Sequence, residues 1–277
     1  MAVIAMTREM ATRGKDVAEG LAKRLGLSIV HSEVVEHDVA KLTGLGDSEV
    51  HKFLEGGSSL MERLRIDRAR MSRCTAHEIL ELAAQGNILI RGWGASYLLR
   101  SVPHVLCVRI CAPIEFREQV LMERLGTTNR AAARREIERN DAAHSAVMQK
   151  MFGANWRAPW HYALTLNTAH VPIDDCIDHI IKMAASTAFS ETTQSRIELT
   201  DRLVDARVRH SITEQFKSAT QVVGIEPTVV GGKVILAGAC SDTGTITDIL
   251  RMVHGINGVK SVESRIELIS FVPVDGI

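Results

Sequence analysis

The chain has no excess of either charge, because its 277 residues include 33 lysines and arginines and 33 aspartates and glutamates. Non-specific binding to nucleic acids or to membrane surfaces requires a basic surface. We therefore expect no nucleic-acid partner and no membrane insertion. The apolar N-terminal residues 1–6 are followed at once by charged residues, and such a segment is too short for a signal peptide or a membrane span. The sequence accordingly predicts a cytoplasmic protein.

Signatures of metal sites and of nucleophilic catalysis are also missing. The five cysteines are odd in number and scattered, and no two of them form a CxxC pair. This pattern argues against a disulfide framework and against a zinc site. The histidines show no HExxH spacing, and no GxSxG sequence indicates a serine nucleophile. We expect no set of metal-ligating side chains in this protein.

Short apolar runs alternate with amphipathic helical patterns over the first part of the chain. The runs are nearly continuous, which is typical of strands that are buried on both faces of a parallel sheet. The pattern predicts an α/β fold in which helices cover both faces of a parallel sheet. The predicted strands are Val3–Met6, Leu27–Val30, Asn87–Ile90, Val105–Cys111 and Tyr162–Asn167.

The polar residues 188–198 lack a period, and we interpret them as a linker. They would join a first domain, residues 1–187, to a second domain, residues 199–277. The second domain is predicted to be a small α+β module with the element order αββαβ. Its clearest signal is the Gly231-Gly232 pair between two β-branched runs, which predicts a hairpin.

A candidate phosphate loop follows the first strand, where a turn leads into a helix that opens with Gly14-Lys15. Backbone N–H groups and the helix N-terminus attract phosphate there, and the lysine reaches the β- and γ-phosphates. The motif G-x-x-x-x-G-K-[ST] is half met, since Glu9 stands at its first glycine and Asp16 at its Mg²⁺-binding hydroxyl. A βα turn that binds nothing is the alternative. The candidate phosphate-binding residues are Thr12, Arg13, Gly14, Lys15 and Asp16.

Several segments occur in a characteristic order and spacing. They are Thr7-Arg8-Glu9, Thr12–Ala18, Ile88–Gly94, Val105–Pro113, Glu115-Phe116-Arg117, Met122-Glu123-Arg124, Phe152–Trp156 and Tyr162–Asn167. Together they resemble the cytidylate kinase-like family of P-loop proteins, over roughly residues 1–187. The resemblance implies a P-loop NTPase-like, nucleotide-binding fold that uses ATP and Mg²⁺ to transfer a phosphoryl group to a pyrimidine nucleoside monophosphate.

The chain departs from the family's pattern at four positions. Ala11 and Arg13 replace two glycines of the loop, where a Cβ obstructs the positive φ that glycine allows. Arg13 offers a guanidinium to a phosphate instead. His31 stands where the family often has an acidic residue, and His144 where it often has an arginine. An inactive pseudo-kinase that binds nucleotide without turnover is therefore the alternative function.

Seven arginines and no lysines lie between positions 109 and 139. Phosphoryl transfer depends on charge stabilisation, and arginine pairs bidentately with phosphate. We expect Lys15, Arg117 and Arg124 to be catalytic, with Lys15 on the donor phosphates and the two arginines on the transferring group. The alternative is a solvated helix face whose arginines pair with interleaved glutamates.

Two residues are candidates for binding the acceptor nucleotide. Arg91 ends a central strand, and ligands of parallel sheets bind at the carboxyl ends of the strands. His31 follows the second strand. The three tryptophans, Trp93, Trp156 and Trp160, are predicted to pack in the core or lid and not to stack on bases.

The second domain has a resemblance of its own. Its hairpin at Val229–Leu236 and its glycines at positions 238, 255 and 258 resemble the BON domain, an αββαβ module. That resemblance implies binding of a phospholipid or another small ligand. Because the sequence predicts no signal peptide, we favour a cytoplasmic sensory or assembly role. Homo-oligomerisation stays open, and a purely structural, self-associating protein is a third alternative.

Overall fold

The computed structural model describes residues 2–54, 67–92, 94–216 and 222–269. The chain divides into two compact units, Met1–Ser195 and Arg196–Ile277, and the division falls within the predicted linker. Among the helices of the described ranges, none combines the length and the apolar character that crossing a bilayer requires.

The first unit is built on a parallel sheet of five strands. In space the strands follow the order β2-β3-β1-β4-β5, and every neighbouring pair is parallel. The predicted α/β fold with a parallel sheet is therefore confirmed. The strands are β1 (Val3–Arg8), β2 (Ser28–Val30), β3 (Ile88–Arg91), β4 (Val105–Cys111) and β5 (Leu164–Asn167).

Helices connect these strands. The first of them ends at Gly26. The helical pattern of Lys15–Leu25 followed by glycine predicts a left-handed cap there, and the φ of Gly26 is 65°. The helices of this unit are α1 (Gly14–Leu25), α2 (Ser32–Thr43), α3 (Asp47–Leu54), α4 (Arg68–Gln85), α5 (Ala95–Leu99), α6 (Ile114–Leu125), α7 (Arg130–Phe152) and α8 (Ile173–Ala184).

Helices cover both faces of the sheet. On one face, α1 and α8 pack against alternate residues of the strands in one buried cluster, which includes Ile4, Met6, Val17, Leu21, Val108, Ile177 and Ile180. On the other face lies α5, where the Ser96 hydroxyl donates to the Ala5 carbonyl over 3.0 Å. The Cys107 thiol donates to the Ser96 carbonyl over 3.3 Å. At their carboxyl ends β1 and β3 finish in Arg8 and Arg91.

A carboxyl pair joins α2 to α4. The pKa of Glu78 on α4 is raised from 4.5 to about 7, chiefly by burial and then by the negative charge of Asp38 on α2. Between these two pH values the folded protein holds a proton that the unfolded chain has released. The free energy of unfolding therefore falls as the pH rises through this window.

We expect Glu78→Gln to remove this pH dependence. Between pH 5 and pH 8 the wild type should lose about 2 kcal/mol more stability than the variant, after allowance for the partial exposure of the carboxyl. Urea denaturation at both pH values measures the difference. Parallel pH profiles of the two proteins would contradict the prediction.

The second unit has the predicted order αββαβ. Its elements are α9 (Thr193–Gln215), β6 (Val222–Val230), β7 (Lys233–Cys240), α10 (Thr243–His254) and β8 (Ser261–Leu268). Strand β7 is central, antiparallel to β6 and parallel to β8. The predicted hairpin turns at Gly231-Gly232, whose N–H groups donate to the Asp201 carboxylate over 2.7 and 2.8 Å.

Helix α9 begins earlier than predicted, so residues 193–198 of the expected linker are helical. The Thr192 hydroxyl accepts from the Ser195 backbone N–H over 3.0 Å, and the Ser195 hydroxyl accepts from the Thr192 N–H over 2.9 Å. This reciprocal cap satisfies two N–H groups at the helix start. A serine stands where the capping pattern usually has glutamate or glutamine, and for that reason the helix start was not predicted.

Candidate functional site

The candidate phosphate loop, residues 9–13, joins β1 to α1 and is fixed by hydrogen bonds at both ends. The Glu9 N–H donates to the Ile110 carbonyl of β4 over 3.1 Å. The Thr12 hydroxyl donates to the Glu9 carbonyl over 2.8 Å, and the Thr168 hydroxyl donates to the Thr12 carbonyl over 2.8 Å. The loop is therefore held in one shape by its own backbone and by the end of β5.

That shape includes two left-handed residues without glycine. Ala11 has a φ of 59° and Arg13 a φ of 55°, at the two positions where the resembled loop has glycines. Both residues therefore keep the positive φ of the glycines they replace, although each carries a Cβ. A non-glycine residue in this region costs about 1–2 kcal/mol, so the loop keeps its form at a cost in stability.

We expect glycine at either position to relieve this strain. Arg13→Gly should raise the free energy of unfolding by about 0.5–1 kcal/mol, since the relief exceeds the added chain entropy. Ala11→Gly should raise it less, because it also removes a buried methyl group. Ala142→Gly, at an exposed position inside α7, is the matched control and should lower it by about 1 kcal/mol. Urea denaturation checks all three, and a loss of stability in both loop variants would contradict the assignment.

The predicted loop residues differ in their exposure to solvent and in their partners. Lys15 and Asp16 are exposed on the first turn of α1, and the Lys15 ammonium lies 3.6 Å from the Glu19 carboxylate. Arg13 is half exposed and lies 3.7 Å from Glu123. Thr12 is buried, with its hydroxyl proton given to the Glu9 carbonyl. Contact of the Thr12 hydroxyl with phosphate or Mg²⁺ stays a prediction that needs this bond to rearrange.

Arg8, at the end of β1, is a site residue that the sequence analysis did not single out. Its Nε is buried and makes no hydrogen bond. The pKa of Arg8 is lowered, first by burial and then by the positive charges of Arg91 and Arg124. Gly14 makes room for this side chain, because a Cβ at Gly14 would lie 2.9 Å from the Arg8 Cβ. Arg8 therefore lies beside the phosphate loop and close to two predicted site residues.

The two predicted acceptor-binding residues lie in contact. Nη2 of Arg91 is 3.1 Å from Nδ1 of His31, so the imidazole accepts from the guanidinium when it carries its proton on Nε2. Nη1 of Arg91 is buried and makes no hydrogen bond. One donor of Arg91 is thus fixed, and another is left for a ligand.

We call Arg8, Arg91 and Arg124 the arginine trio. Among the described residues, no carboxylate lies within 4.0 Å of any of the three. Positive charges held together without counter-ions, with buried donors lacking partners, are costly in a folded protein. An oxyanion bound between them would compensate the charges and accept from the donors. The trio is therefore a candidate anion site at the carboxyl ends of β1 and β3, where such sheets bind ligands.

Arg117 is placed differently. It belongs to a buried ion-pair cluster, the Glu9 network, which consists of Glu9, Arg109, Arg117, Asp141 and Arg157. The Arg117 guanidinium donates to both Asp141 oxygens over 2.9 and 2.8 Å and to the Met10 carbonyl over 2.7 Å. Its side chain is 4% exposed. The structure thus gives Arg117 a role in holding the loop against α7 and does not bring it together with Arg124.

The remaining pairs of the Glu9 network tie the loop to β4. The Glu9 carboxylate accepts from Arg109 over 2.7 Å and from the Ala112 N–H over 3.3 Å. Arg157 lies 3.7 Å from Glu9 and 2.7 Å from Asp141. Glu9, which stands at the position of the motif's first glycine, therefore attaches the loop to β4.

Ion pairs also hold other members of the seven arginines between positions 109 and 139. The Glu118 carboxylate, 1% exposed, accepts from Arg134 and from Arg130, and these bonds lower the pKa of Glu118. Arg139 pairs with Glu136 on the surface over 2.8 Å. Of the seven arginines, Arg124 and Arg135 are those without a described carboxylate within 4.0 Å. The alternative of arginines paired with interleaved glutamates therefore holds for Arg130, Arg134 and Arg139. Arg109 and Arg117 pair instead with Glu9 and Asp141, and the alternative fails at Arg124 and Arg135.

The aromatic residues near the site have two kinds of environment. Trp156 is buried and donates to the Ser145 hydroxyl over 2.8 Å, which confirms its predicted packing role. His144 lies against it, and burial lowers the pKa of His144 to about 4, so its imidazole is neutral near pH 7. Trp160 is 78% exposed, so the prediction that it packs is wrong. Trp93 lies outside the described residues.

The protein groups near the phosphate loop offer few ligands to a metal ion. No group of three or more His, Cys, Asp and Glu side chains within the described part of the chain could hold a metal ion alone. Mg²⁺ commonly uses one or two carboxylates together with the phosphates of its substrate. The exposed Asp16 carboxylate supplies one such ligand at the motif position that usually carries a hydroxyl, and the site fits Mg²⁺ brought with a nucleotide.

Comparison with known proteins shows the family of the chain. The sequence pattern of the cytidylate kinase-like family matches residues 3–170, more than half of the chain. The chain belongs to the cytidylate kinase-like family. A cytidylate kinase from Pyrobaculum aerophilum is 23% identical over 177 residues, which cover 64% of this chain and 89% of that protein.

A solved structure extends the comparison to the fold. An uncharacterized protein from Eubacterium ventriosum ATCC 27560 superposes with a TM-score of 0.52 and 18% sequence identity, over 66% of this chain and 97% of that one. At this identity the similarity shows the fold alone. The family match in this cytidylate kinase-like protein ends at residue 170 and therefore lies within the first unit.

Proposed function

We propose that this protein transfers a phosphoryl group from ATP to a pyrimidine nucleoside monophosphate. The arginine trio carries the proposal, because it offers an uncompensated anion site beside the phosphate loop. Family membership supports the reaction class, and the relative named cytidylate kinase supports a cytidine nucleotide as the acceptor. Phosphoryl transfer needs positioned positive charge more than covalent chemistry, and the trio supplies that charge.

Lys15, Asp16, His31 and the arginine trio each have a part in this proposal. Lys15 leaves Glu19 to bind the β- and γ-phosphates of ATP, and Asp16 holds the Mg²⁺ that neutralises them. Arg124, on the last turn of α6, stabilises the transferring group. Arg91, oriented by His31, binds the phosphate of the acceptor. Arg8, whose pKa the charges of both arginines lower, adds a third positive charge.

Enzyme-coupled ADP release with CMP, UMP and dCMP tests the proposal. We expect turnover with at least one acceptor and a loss in kcat/KM of about 100-fold or more in Lys15→Ala. Lys23→Ala is the matched control, since Lys23 is an exposed lysine on the last turn of the same helix, and it should stay within about twofold. Absence of turnover by the wild type with all three acceptors would contradict the proposal.

A nucleotide sensor without turnover is the second candidate. The Lys15–Glu19 ion pair and the neutral His144, at a position where the family often has arginine, favour it. Calorimetric titration with ATP and CMP decides between the two. Micromolar binding that Lys15→Ala weakens, together with no ADP release, would select the sensor.

For the second unit we propose a BON-like module that binds a small ligand. The αββαβ order and the mixed sheet of β6, β7 and β8 support this. We expect the full chain to co-sediment with anionic phospholipid vesicles no more than with neutral ones. Salt-dependent binding to anionic vesicles alone would replace the small ligand by a lipid surface.

A further inference from the structure

A cavity of about 480 Å³ lies toward the amino ends of β4 and β5, whereas the phosphate loop lies at the carboxyl ends of the strands. Val105, the first residue of β4, and Ala163, just before β5, both line it. The lining reaches Cys107, the third residue of β4, so about 13 Å of strand separates it from the carboxyl end. The cavity volume is in the range of about 300–1,000 Å³ that small-molecule sites occupy. The cavity is thus distinct from the arginine trio.

An exposed tryptophan forms part of its lining. Trp160 is 78% exposed, more than any other large hydrophobic residue among those described. Its ring centroid lies 5.9 Å from that of His161, which lines the same cavity. Leaving such a large apolar ring in water forgoes the stabilisation that burial of an aromatic side chain brings. The free face of Trp160 is therefore available for stacking against a planar ring.

A fixed positive charge lies in the same lining. The Arg100 guanidinium stacks on Tyr97, with its carbon 3.6 Å from the ring centroid, and donates to the Tyr97 carbonyl. Within the described ranges no carboxylate comes within 4.0 Å of Arg100. Burial and then the Arg100 charge lower the pKa of His161, so His161 is neutral near pH 7. Arg100 is thus a pre-oriented cation with donors left for an oxyanion.

We propose that this cavity binds a planar aromatic ligand that carries an anionic group. The ring stacks on Trp160, the anion pairs with Arg100, and the apolar walls at Val102, Pro103 and Phe189 exclude water from one side. A purely apolar ligand would leave Arg100 uncompensated, and a free phosphate would leave Trp160 uncovered. A mononucleotide has both parts, and CMP and AMP are suitable probes.

Calorimetric titration of the full chain with CMP and AMP tests this proposal. We expect Trp160→Ala and Arg100→Met each to weaken one binding event about tenfold or more, as the loss of a stacking platform or a charged donor does. Trp160→Phe keeps a ring and should keep that event. Cytidine lacks the anion and ribose 5-phosphate lacks the base, so both should bind there about tenfold more weakly than CMP. Trp160 and Arg100 are exposed, so these variants should fold, and circular dichroism checks that they do.

The outcome is separable from the proposed function. Arg124→Met should weaken binding at the arginine trio and leave the Trp160-dependent event unchanged. A single event that only Trp160→Ala and Arg100→Met weaken would support the cavity and contradict nucleotide binding at the trio. Binding that only Arg124→Met weakens would overturn the cavity proposal. So would a dimer of the wild type that Trp160→Ala converts to a monomer without any change in nucleotide affinity, because the ring would then belong to a self-association surface.

Discussion

Replacing Arg117 with methionine is expected to lower the free energy of unfolding by about 3 kcal/mol, the low end of the range for breaking a buried ion pair. The substitution removes both donors to Asp141 and the donor to the Met10 carbonyl. Arg157 still pairs with Asp141, and Arg109 still pairs with Glu9, which keeps the loss from being larger. Urea denaturation near pH 7, followed by circular dichroism, measures it.

Arg139→Met is the control for this prediction, because the Arg139–Glu136 pair lies on the surface of α7. It should cost less than about 0.5 kcal/mol. A loss below about 1 kcal/mol in Arg117→Met would contradict the structural role of the Glu9 network. A variant that keeps the charge, Arg117→Lys, separates structure from catalysis. If the folded Arg117→Lys protein loses turnover without a change in KM, the predicted contact of this residue with the transferring phosphate is supported.

Replacing Arg8 with methionine is expected to change stability and function in opposite directions. The buried charge of Arg8 is disfavoured in the folded protein, as its lowered pKa indicates, so Arg8→Met should raise the melting temperature. The same change removes a donor from the arginine trio. We expect kcat/KM for phosphoryl transfer to fall about 100-fold or more, as it does when an oxyanion loses one positioned donor.

Thermal unfolding without ligand and the coupled ADP assay measure the two effects of Arg8→Met. Arg135→Met is the matched control, since Arg135 is another arginine with no described carboxylate within 4.0 Å, and it should alter neither quantity. A lower melting temperature in Arg8→Met would show that the side chain stabilises the fold. The assignment of Arg8 to an anion site would then fail.

Local patterns predicted the framework of the first unit. Apolar runs such as Val105–Cys111 coincide with a strand because a strand buried on both faces has no polar side to interrupt the run. Gly26 and the Gly231-Gly232 turn were predicted because positive φ favours glycine. These features depend on residues close to one another in the chain.

Which arginines pair with an acidic residue and which do not could not be predicted in this way. Arg109 and Glu9 are a hundred positions apart, yet they form one ion pair. Arg124 and Arg117, seven positions apart on α6, differ in burial and in which acidic residues the fold brings near them. The neighbour of Glu9 in the sequence, Arg8, has no carboxylate within 4.0 Å among the described residues. The resemblance contained Thr7-Arg8-Glu9 as one segment, but which charge is compensated is a property of the tertiary structure.

The arginine trio also has a consequence for how the purified protein behaves. Any oxyanion that binds the folded trio and not the unfolded chain stabilises the protein by mass action, by about 2.7 kcal/mol at one hundred times its dissociation constant. Sulfate or inorganic phosphate in a storage buffer should therefore raise the melting temperature, and chloride at the same ionic strength should not. Measured stability would then depend on the choice of buffer anion, and inhibition by inorganic phosphate would follow from the same site.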